Sequence, residues 1–107
     1  MRFVALDVSF AFVRTLRKPL ERLRSVDPDL YRQLRRAAAS IPLNLAEGAS
    51  RQGKDRRHHF RVAHGSALEA GAALRVAEAW GDLDADVLQP ALETLDRLLG
   101  LLWGLTR

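Results

Sequence analysis

The spacing of apolar residues constrains this chain more than any other feature of its sequence. Apolar side chains recur every three or four positions along most of its length, a period typical of α-helices with one buried face. The first series consists of Leu6, Phe10, Val13, Leu16, Leu20 and Leu23. Pro19 lies within this series, and we expect a kink or a helix boundary there, because proline removes a backbone donor and clashes with the preceding turn.

Residues 25–29 predict a turn followed by a second helix. Asp27 can accept hydrogen bonds from the free amides of the next turn, and Pro28 suits the first helical position. The apolar face of this helix consists of Leu30, Leu34, Ala37, Ala38, Ile41 and Leu45. We expect Pro42 to bend the helix and Gly48 to end it.

Two further helices are predicted after a loop at residues 48–54. The third runs to about Trp80, and its inner face consists of Phe60, Ala63, Ala67, Ala70, Gly71, Leu74 and Ala77. It is expected to end at Gly81, and the fourth helix is expected to begin near Asp84 or Asp86, since acids suit a helix N-terminus. The fourth stripe consists of Leu88, Leu92, Leu95, Leu99 and Leu102, widened by Leu98, Leu101, Trp103 and Leu105.

Four helices joined by short links favour one all-α domain over residues 1–107, an up-and-down antiparallel four-helix bundle. The fourth helix has more apolar residues than one buried stripe requires. We therefore expect the bundle to form a homo-oligomer through this helix, because exposing the excess is unfavourable. The alternative is that the wide stripe fills a corner of the bundle.

Several classes of protein are excluded or disfavoured by composition. The chain has no cysteine, which excludes disulfides, thiolate metal sites and thiol catalysis. Its apolar runs are far shorter than the roughly 18 residues that a membrane span needs, and Asp7 comes too early for a signal peptide. We therefore expect a cytoplasmic protein that has no membrane partner.

Basic residues are concentrated at residues 51–64, where five Lys and Arg face one acid, Asp55. The chain as a whole has a formal net charge of +4, whereas residues 65–107 hold seven acids and three bases. The candidate nucleic-acid-binding residues are Arg51, Lys54, Arg56, Arg57, His58 and Arg61, called the basic block below. Phosphates are the expected ligand. The alternatives are a solvated face or a charge pair between subunits.

A second group of polar residues surrounds the proline of the second helix. It consists of Ser40, Pro42, Asn44, Glu47 and Ser66. We expect these residues to satisfy the bend and to form hydrogen bonds across to the third helix, at Ser66 or near Gly65, because buried polar groups need partners. Gly65 would allow the two helices to approach closely. The functional alternative is a ligand or partner site at the bend.

No catalytic residues, metal or cofactor are predicted. The spacing of His58, His59 and His64 does not align two imidazoles on one helical face, and no H-E-x-x-H pattern occurs. Asp55 near the histidines lacks an accompanying nucleophile or oxyanion donor. A hydrolase acting at the histidine-rich face is therefore the weakest alternative.

Residues 33–48 are the most distinctive stretch of the chain. They combine a basic pair and small residues with the run Ser40-Ile41-Pro42-Leu43-Asn44-Leu45-Ala46-Glu47-Gly48. This stretch resembles the signature of the four-helix bundle proteins encoded in intervening sequences of bacterial 23S ribosomal RNA genes. Further positions also fit that family, namely Arg51, Lys54, Phe60, Ala63, Gly65, Ser66 and Glu69. The run Arg56-Arg57-His58-His59 departs from its usual pattern.

The resemblance implies a bundle that assembles as a homopentamer and has no known catalytic activity. A relative in diversity-generating retroelements accompanies a reverse transcriptase and nucleic acid, which makes RNA, DNA and a nucleic-acid-processing protein candidate partners. We expect a non-enzymatic, nucleic-acid-binding bundle. The alternative is a protein-interaction scaffold without direct nucleic-acid contact.

Overall fold

A computed structural model describes residues 2–107, and within this range it contains five α-helices and no strand. The helices are α1 (Val4–Thr15), α2 (Arg17–Val26), α3 (Pro28–Ala49), α4 (Gly53–Ala79) and α5 (Ala85–Thr106). The particle measures 42 × 22 × 20 Å, and its long dimension is close to the length of α4, since 27 helical residues span about 40 Å.

Helices α1 and α2 form the first corner of the bundle, and the helix is interrupted between them at Leu16. Pro19 has no amide hydrogen for the carbonyl of Thr15, which explains why the boundary lies three residues before the proline. The expected boundary is thus confirmed. The fully buried Leu16 holds both pieces on the core, so the five helices still make four corners.

The four corners follow one another around the bundle. Helix α3 packs most extensively on α4, α4 packs on α5, and α1 packs on both α5 and α3. Helix α4 therefore lies diagonally opposite the α1–α2 pair. The all-α prediction is confirmed for residues 2–107, with five helices where four were predicted.

The start of α3 follows the prediction closely. The Asp27 carboxylate accepts a 3.1 Å hydrogen bond from the amide of Leu30, and Pro28 is the first helical residue. All six apolar residues predicted for this helix are buried. Its end differs, because the helix continues through Gly48 to Ala49 and the loop is correspondingly shorter than residues 48–54.

Two predicted apolar faces require correction. In α1 the buried aromatic residue is Phe12, whereas Phe10 is 44% exposed, so the buried face is rotated relative to the predicted stripe. In α5 the buried face consists of Leu88, Ala91, Leu95, Leu98 and Leu102. The exposed apolar excess is larger on α4 and its C-cap residue, which present Val62, Leu68, Val76 and Trp80, than on α5, which presents Trp103.

The helices differ from membrane-spanning segments. None of those formed by residues 2–107 combines the length and the apolar character needed to cross a bilayer.

Candidate nucleic-acid interface

The turn between α3 and α4 positions the basic block at one end of the bundle. The chain leaves α3 at Ala49 and enters α4 at Gly53, whose φ of +60° is a conformation that glycine adopts readily. Ser50 stabilises the end of α3 by donating a 2.7 Å hydrogen bond to the carbonyl oxygen of Glu47. The block then occupies this turn and the first turns of α4, and all six of its side chains are exposed.

Arg51 is partly neutralised by acidic side chains. Its guanidinium lies 3.0 Å from a carboxylate oxygen of Asp55 and 3.7 Å from one of Glu47. Both pairs are solvent-exposed, so each contributes little to stability. Arg51 therefore contributes less positive charge to the block than the sequence count implies.

Arg56 is bound to the backbone of its own chain. Its Nε donates to the carbonyl oxygens of Arg51 at 2.9 Å and Gly48 at 3.2 Å, and its Nη2 donates to that of Ala49 at 2.9 Å. Carbonyls at a helix C-terminus lack partners within the helix, and a nearby cation is favourable there. The structure thus gives Arg56 a capping role that the sequence did not predict.

Three cations of the block have no acidic partner in the part of the chain that the structure describes. Among residues 2–107, no carboxylate lies within 4.0 Å of the side-chain nitrogens of Lys54, Arg57 or Arg61. Their spacing, together with that of His58, places them along the exposed side of the first turns of α4. The structure therefore brings together four of the six predicted residues, Lys54, Arg57, His58 and Arg61, on an exposed surface that is open to an external anion.

The polar cluster links α3 to α4. Ser66 Oγ donates a 2.8 Å hydrogen bond to Ser40 Oγ, which links α4 to α3. Asn44 Nδ2 donates to the carbonyl oxygen of Ser40 at 2.9 Å and to its Oγ at 3.0 Å. His59 Nδ1 completes the cluster by donating to Asn44 Oδ1 at 3.1 Å.

One member of the predicted cluster, Glu47, and the nearby Gly65 behave differently from what was expected. Glu47 points to Ser50 and Arg51 at the exposed end of α3 and makes no bond to α4. Gly65 is exposed, and a β-carbon added to it would have no atom within 4 Å, so it does not mediate a close approach. That role belongs to Gly48, which packs against the Phe60 ring. Pro42 is buried, as its place on the inner side of α3 requires.

His59 is the cluster member that sequence reasoning missed. In an antiparallel hairpin, residues equally distant from the turn lie side by side, and Asn44 and His59 flank the turn at residues 50–52 almost symmetrically. That register could have identified the pair. The other histidines make no hydrogen bond within the cluster: the exposed His58 ring contacts the His59 ring edge-on, and His64 contacts Trp103 on α5. Among residues 2–107, no three His, Asp or Glu side chains are grouped as metal ligands.

The fold and the signature around Pro42 agree with what is found on comparison with known proteins. No curated protein matches the chain. A family model described as 23S rRNA-intervening sequence protein matches residues 5–104, which include nearly all of the five helices and the whole of both polar groups. The chain therefore belongs to the 23S rRNA-intervening sequence protein family.

Proposed function

We propose that this protein is a non-enzymatic, homo-oligomeric bundle that binds the phosphate backbone of RNA or DNA through the basic block. The proposal is carried by Lys54, Arg57 and Arg61, which lie on one side of α4 and have no acidic partner within residues 2–107. Cations near a helix N-terminus oppose the helix dipole, so this arrangement costs stability unless an anion compensates.

The residues of the basic block do not contribute equally to phosphate contact. Arg56 is occupied by backbone carbonyls and Arg51 by carboxylates, so they position the turn and contribute weakly to phosphate contact. Backbone contact of this kind is insensitive to base sequence and strongly dependent on salt. The protein should therefore bind duplexes of unrelated sequence with similar affinity.

A salt titration with a fluorescent 20-base-pair duplex tests this proposal. Removing one cation that neutralises a phosphate reduces the slope of log affinity against log salt by about 0.9 for B-DNA. The double variant Arg57→Gln, Arg61→Gln should therefore lower the slope by about 1.8. Arg32→Gln is the matched control, because Arg32 is an exposed arginine on α3 that pairs with Asp29 and lies outside the basic block. An absence of duplex binding at low salt would contradict the proposal.

The oligomer is proposed to form through the outer surface of α4 and α5. An apolar groove of about 280 Å³ runs between these helices, and its lining includes Leu68, Gly71, Leu92 and Leu99. Leu68 is 54% exposed and Trp103 57% exposed in the single chain, and covering them would remove apolar surface from water. A pentameric state is the expectation that comes from the family.

Mass measurement in solution tests the interface. The wild type should have a mass of five times the 12.0 kDa chain, and Leu68→Glu should reduce it. Leu43→Glu is the control, since Leu43 is 68% exposed on α3, away from the groove. A monomeric wild type would exclude the oligomer, and dissociation by Leu43→Glu alone would move the interface to α3.

The alternative function is a protein-interaction scaffold. The same exposed apolar residues of α4 favour it, because they suit a protein partner as well as a second copy. An intact oligomer that binds neither DNA nor RNA duplexes at low salt would support this alternative.

A further inference from the structure

A second cationic surface lies outside the basic block, in a groove between the α1–α2 corner and α3. The groove has a volume of about 410 Å³, and its lining includes Arg14, Arg17, Arg24, Arg35, Glu21 and Tyr31. It lies toward the α2–α3 turn, whereas the basic block adjoins the opposite end of α3. We refer to it as the arginine groove.

The helix register explains why these residues converge. Arg17 and Arg24 are separated by two turns of α2, so they lie on the same side, and Tyr31 and Arg35 are neighbours one turn apart on α3. The antiparallel turn at Asp27 then places α2 alongside the start of α3. Arg14 joins them because α1 ends just before the break at Leu16.

The four arginines have no partner among the residues that the structure describes. Among residues 2–107, none of them lies within 4.0 Å of a carboxylate or donates a hydrogen bond, although Glu21 lines the same groove. Four guanidinium groups around one groove repel one another, and a single carboxylate leaves an excess of three positive charges. Guanidinium groups match phosphate oxygens in a bidentate geometry, which indicates a phosphate-containing ligand.

The remaining lining distinguishes the arginine groove from the basic block. Tyr31 is half-buried, and its ring shares the groove with the side chains of Val13 and Leu20. An apolar floor and an aromatic ring beside arginines suit a flat, partly apolar group attached to a phosphate. A paired base in a duplex cannot offer its face to a tyrosine, because that face is stacked on its neighbours.

We propose that the arginine groove binds an unpaired nucleotide, with its phosphate on the arginines and its base against Tyr31. The volume lies within the range of about 300–1,000 Å³ found for small-ligand sites. The site is separate from the basic block, so a failure of nucleotide binding here would not contradict duplex binding by the block, and the reverse also holds. Together the two surfaces would allow one chain to hold both a duplex and an adjoining single strand.

Binding of a fluorescein-labelled 12-nucleotide oligo(dT) and of a duplex of the same length, measured by fluorescence anisotropy on the full chain, tests the site. Tyr31→Leu should weaken oligo(dT) binding about fivefold or more and leave duplex binding unchanged, whereas Tyr31→Phe should retain both. The double variant Arg17→Gln, Arg24→Gln should reduce the oligo(dT) salt slope by about 1.4. Both arginines are exposed, so these substitutions remain informative even where Tyr31→Leu impairs folding.

Three results would overturn the site. The first is an oligo(dT) affinity that is unchanged in both the arginine double variant and Tyr31→Leu. The second is a loss of duplex affinity in Tyr31→Leu as large as its loss of oligo(dT) affinity. The third is displacement of labelled oligo(dT) by a polyglutamate peptide of matched charge as effectively as by unlabelled oligo(dT). Loss of oligo(dT) binding only in Arg57→Gln, Arg61→Gln would likewise assign it to the basic block. Competition by thymidine monophosphate distinguishes two ligands for the site. Displacement of the labelled oligo(dT) indicates that a free nucleotide binds, whereas no displacement indicates that binding requires a strand.

Discussion

Gly48 lies against the Phe60 ring, and one added methyl group there should destabilise the bundle. A β-carbon on Gly48 would lie 2.7 Å from Cε1 and 2.8 Å from Cδ1 of Phe60, and 3.1 Å from Cβ of His59. The ring has little room to move, because Phe60 is only 6% exposed and packs against Phe3 with ring centroids 5.9 Å apart. The new methyl group therefore forces a shift of α3 relative to α4.

The change in the free energy of unfolding caused by Gly48→Ala is the sum of two opposing effects. Overpacking of this kind costs about 1–3 kcal/mol. Replacing a helical glycine by alanine stabilises by about 0.5–1 kcal/mol when nothing clashes, because the unfolded chain loses freedom. We therefore expect Gly48→Ala to lower the free energy of unfolding by about 1–2 kcal/mol.

Urea unfolding followed by circular dichroism measures this change. Gly100→Ala is the matched control, because Gly100 lies inside α5 and a β-carbon added there would have no atom within 4 Å, so this substitution should stabilise by about 0.5–1 kcal/mol. In a Phe60→Leu background, Gly48→Ala should lose most of its cost, since the clashing ring atoms are gone. Equal stabilisation by both glycine substitutions would refute the packing argument. All variants must be compared at one protein concentration, because association adds to apparent stability.

Three further substitutions test individual contacts by the same measurement. Asn44→Ala should cost about 1–2 kcal/mol, since Ser40 and His59 lose their shared partner, and an unchanged stability would contradict a structural role for the cluster. Arg56→Gln should cost about 1 kcal/mol through loss of the cap on α3, whereas Arg57→Gln should change stability by less than about 0.5 kcal/mol. Asp27→Ala should cost about 1 kcal/mol through loss of its bond to the Leu30 amide, and Asp27→Asn should retain most of the stability.

The sequence predicted most of the local structure because local chemistry determines it. The helical periodicity, the Asp27 cap and the break near Pro19 each depend on residues within one or two turns. The rotation of α1 was not predictable in this way. Phe10 and Phe12 both fit a period of three to four residues, and the choice between them depends on contacts with α3 and α5.

The candidate site was predicted only in outline, because charge counts do not reveal which cations are already bound. Arg56 and Arg57 are adjacent and chemically identical, yet one caps α3 and the other has no acidic partner among residues 2–107. The difference arises from the turn at residues 50–52, which carries Arg56 back over the last carbonyls of α3. A sequence pattern cannot contain this information, since it depends on the path of the turn.

The sequence does not predict the arginine groove either, because charge counts do not show which cations the fold brings together. Residues 1–24 hold six Lys and Arg against two acids, but the helical pattern assigns no common surface to them. Folding divides the cations of α2 between two sides. Lys18 and Arg22 share a groove with Asp82 and Asp84 in the α4–α5 connection, where Arg22 Nε also donates to the Asp82 carbonyl oxygen at 3.4 Å.

The other side of α2 faces α3, where the only acid lining the groove is Glu21. The acidic residues after α4 therefore lie on the side of α2 that carries Lys18 and Arg22, and Asp86 shares a groove with Lys18, Arg14 and Arg17. The side facing α3 keeps an excess of positive charge, because four arginines line it with one acid. An anionic ligand is thus expected at the arginine groove and not at the α4–α5 connection. Lys18→Gln should accordingly leave oligo(dT) affinity nearly unchanged, in contrast to Arg17→Gln at the preceding position, and equal effects of the two substitutions would contradict this division.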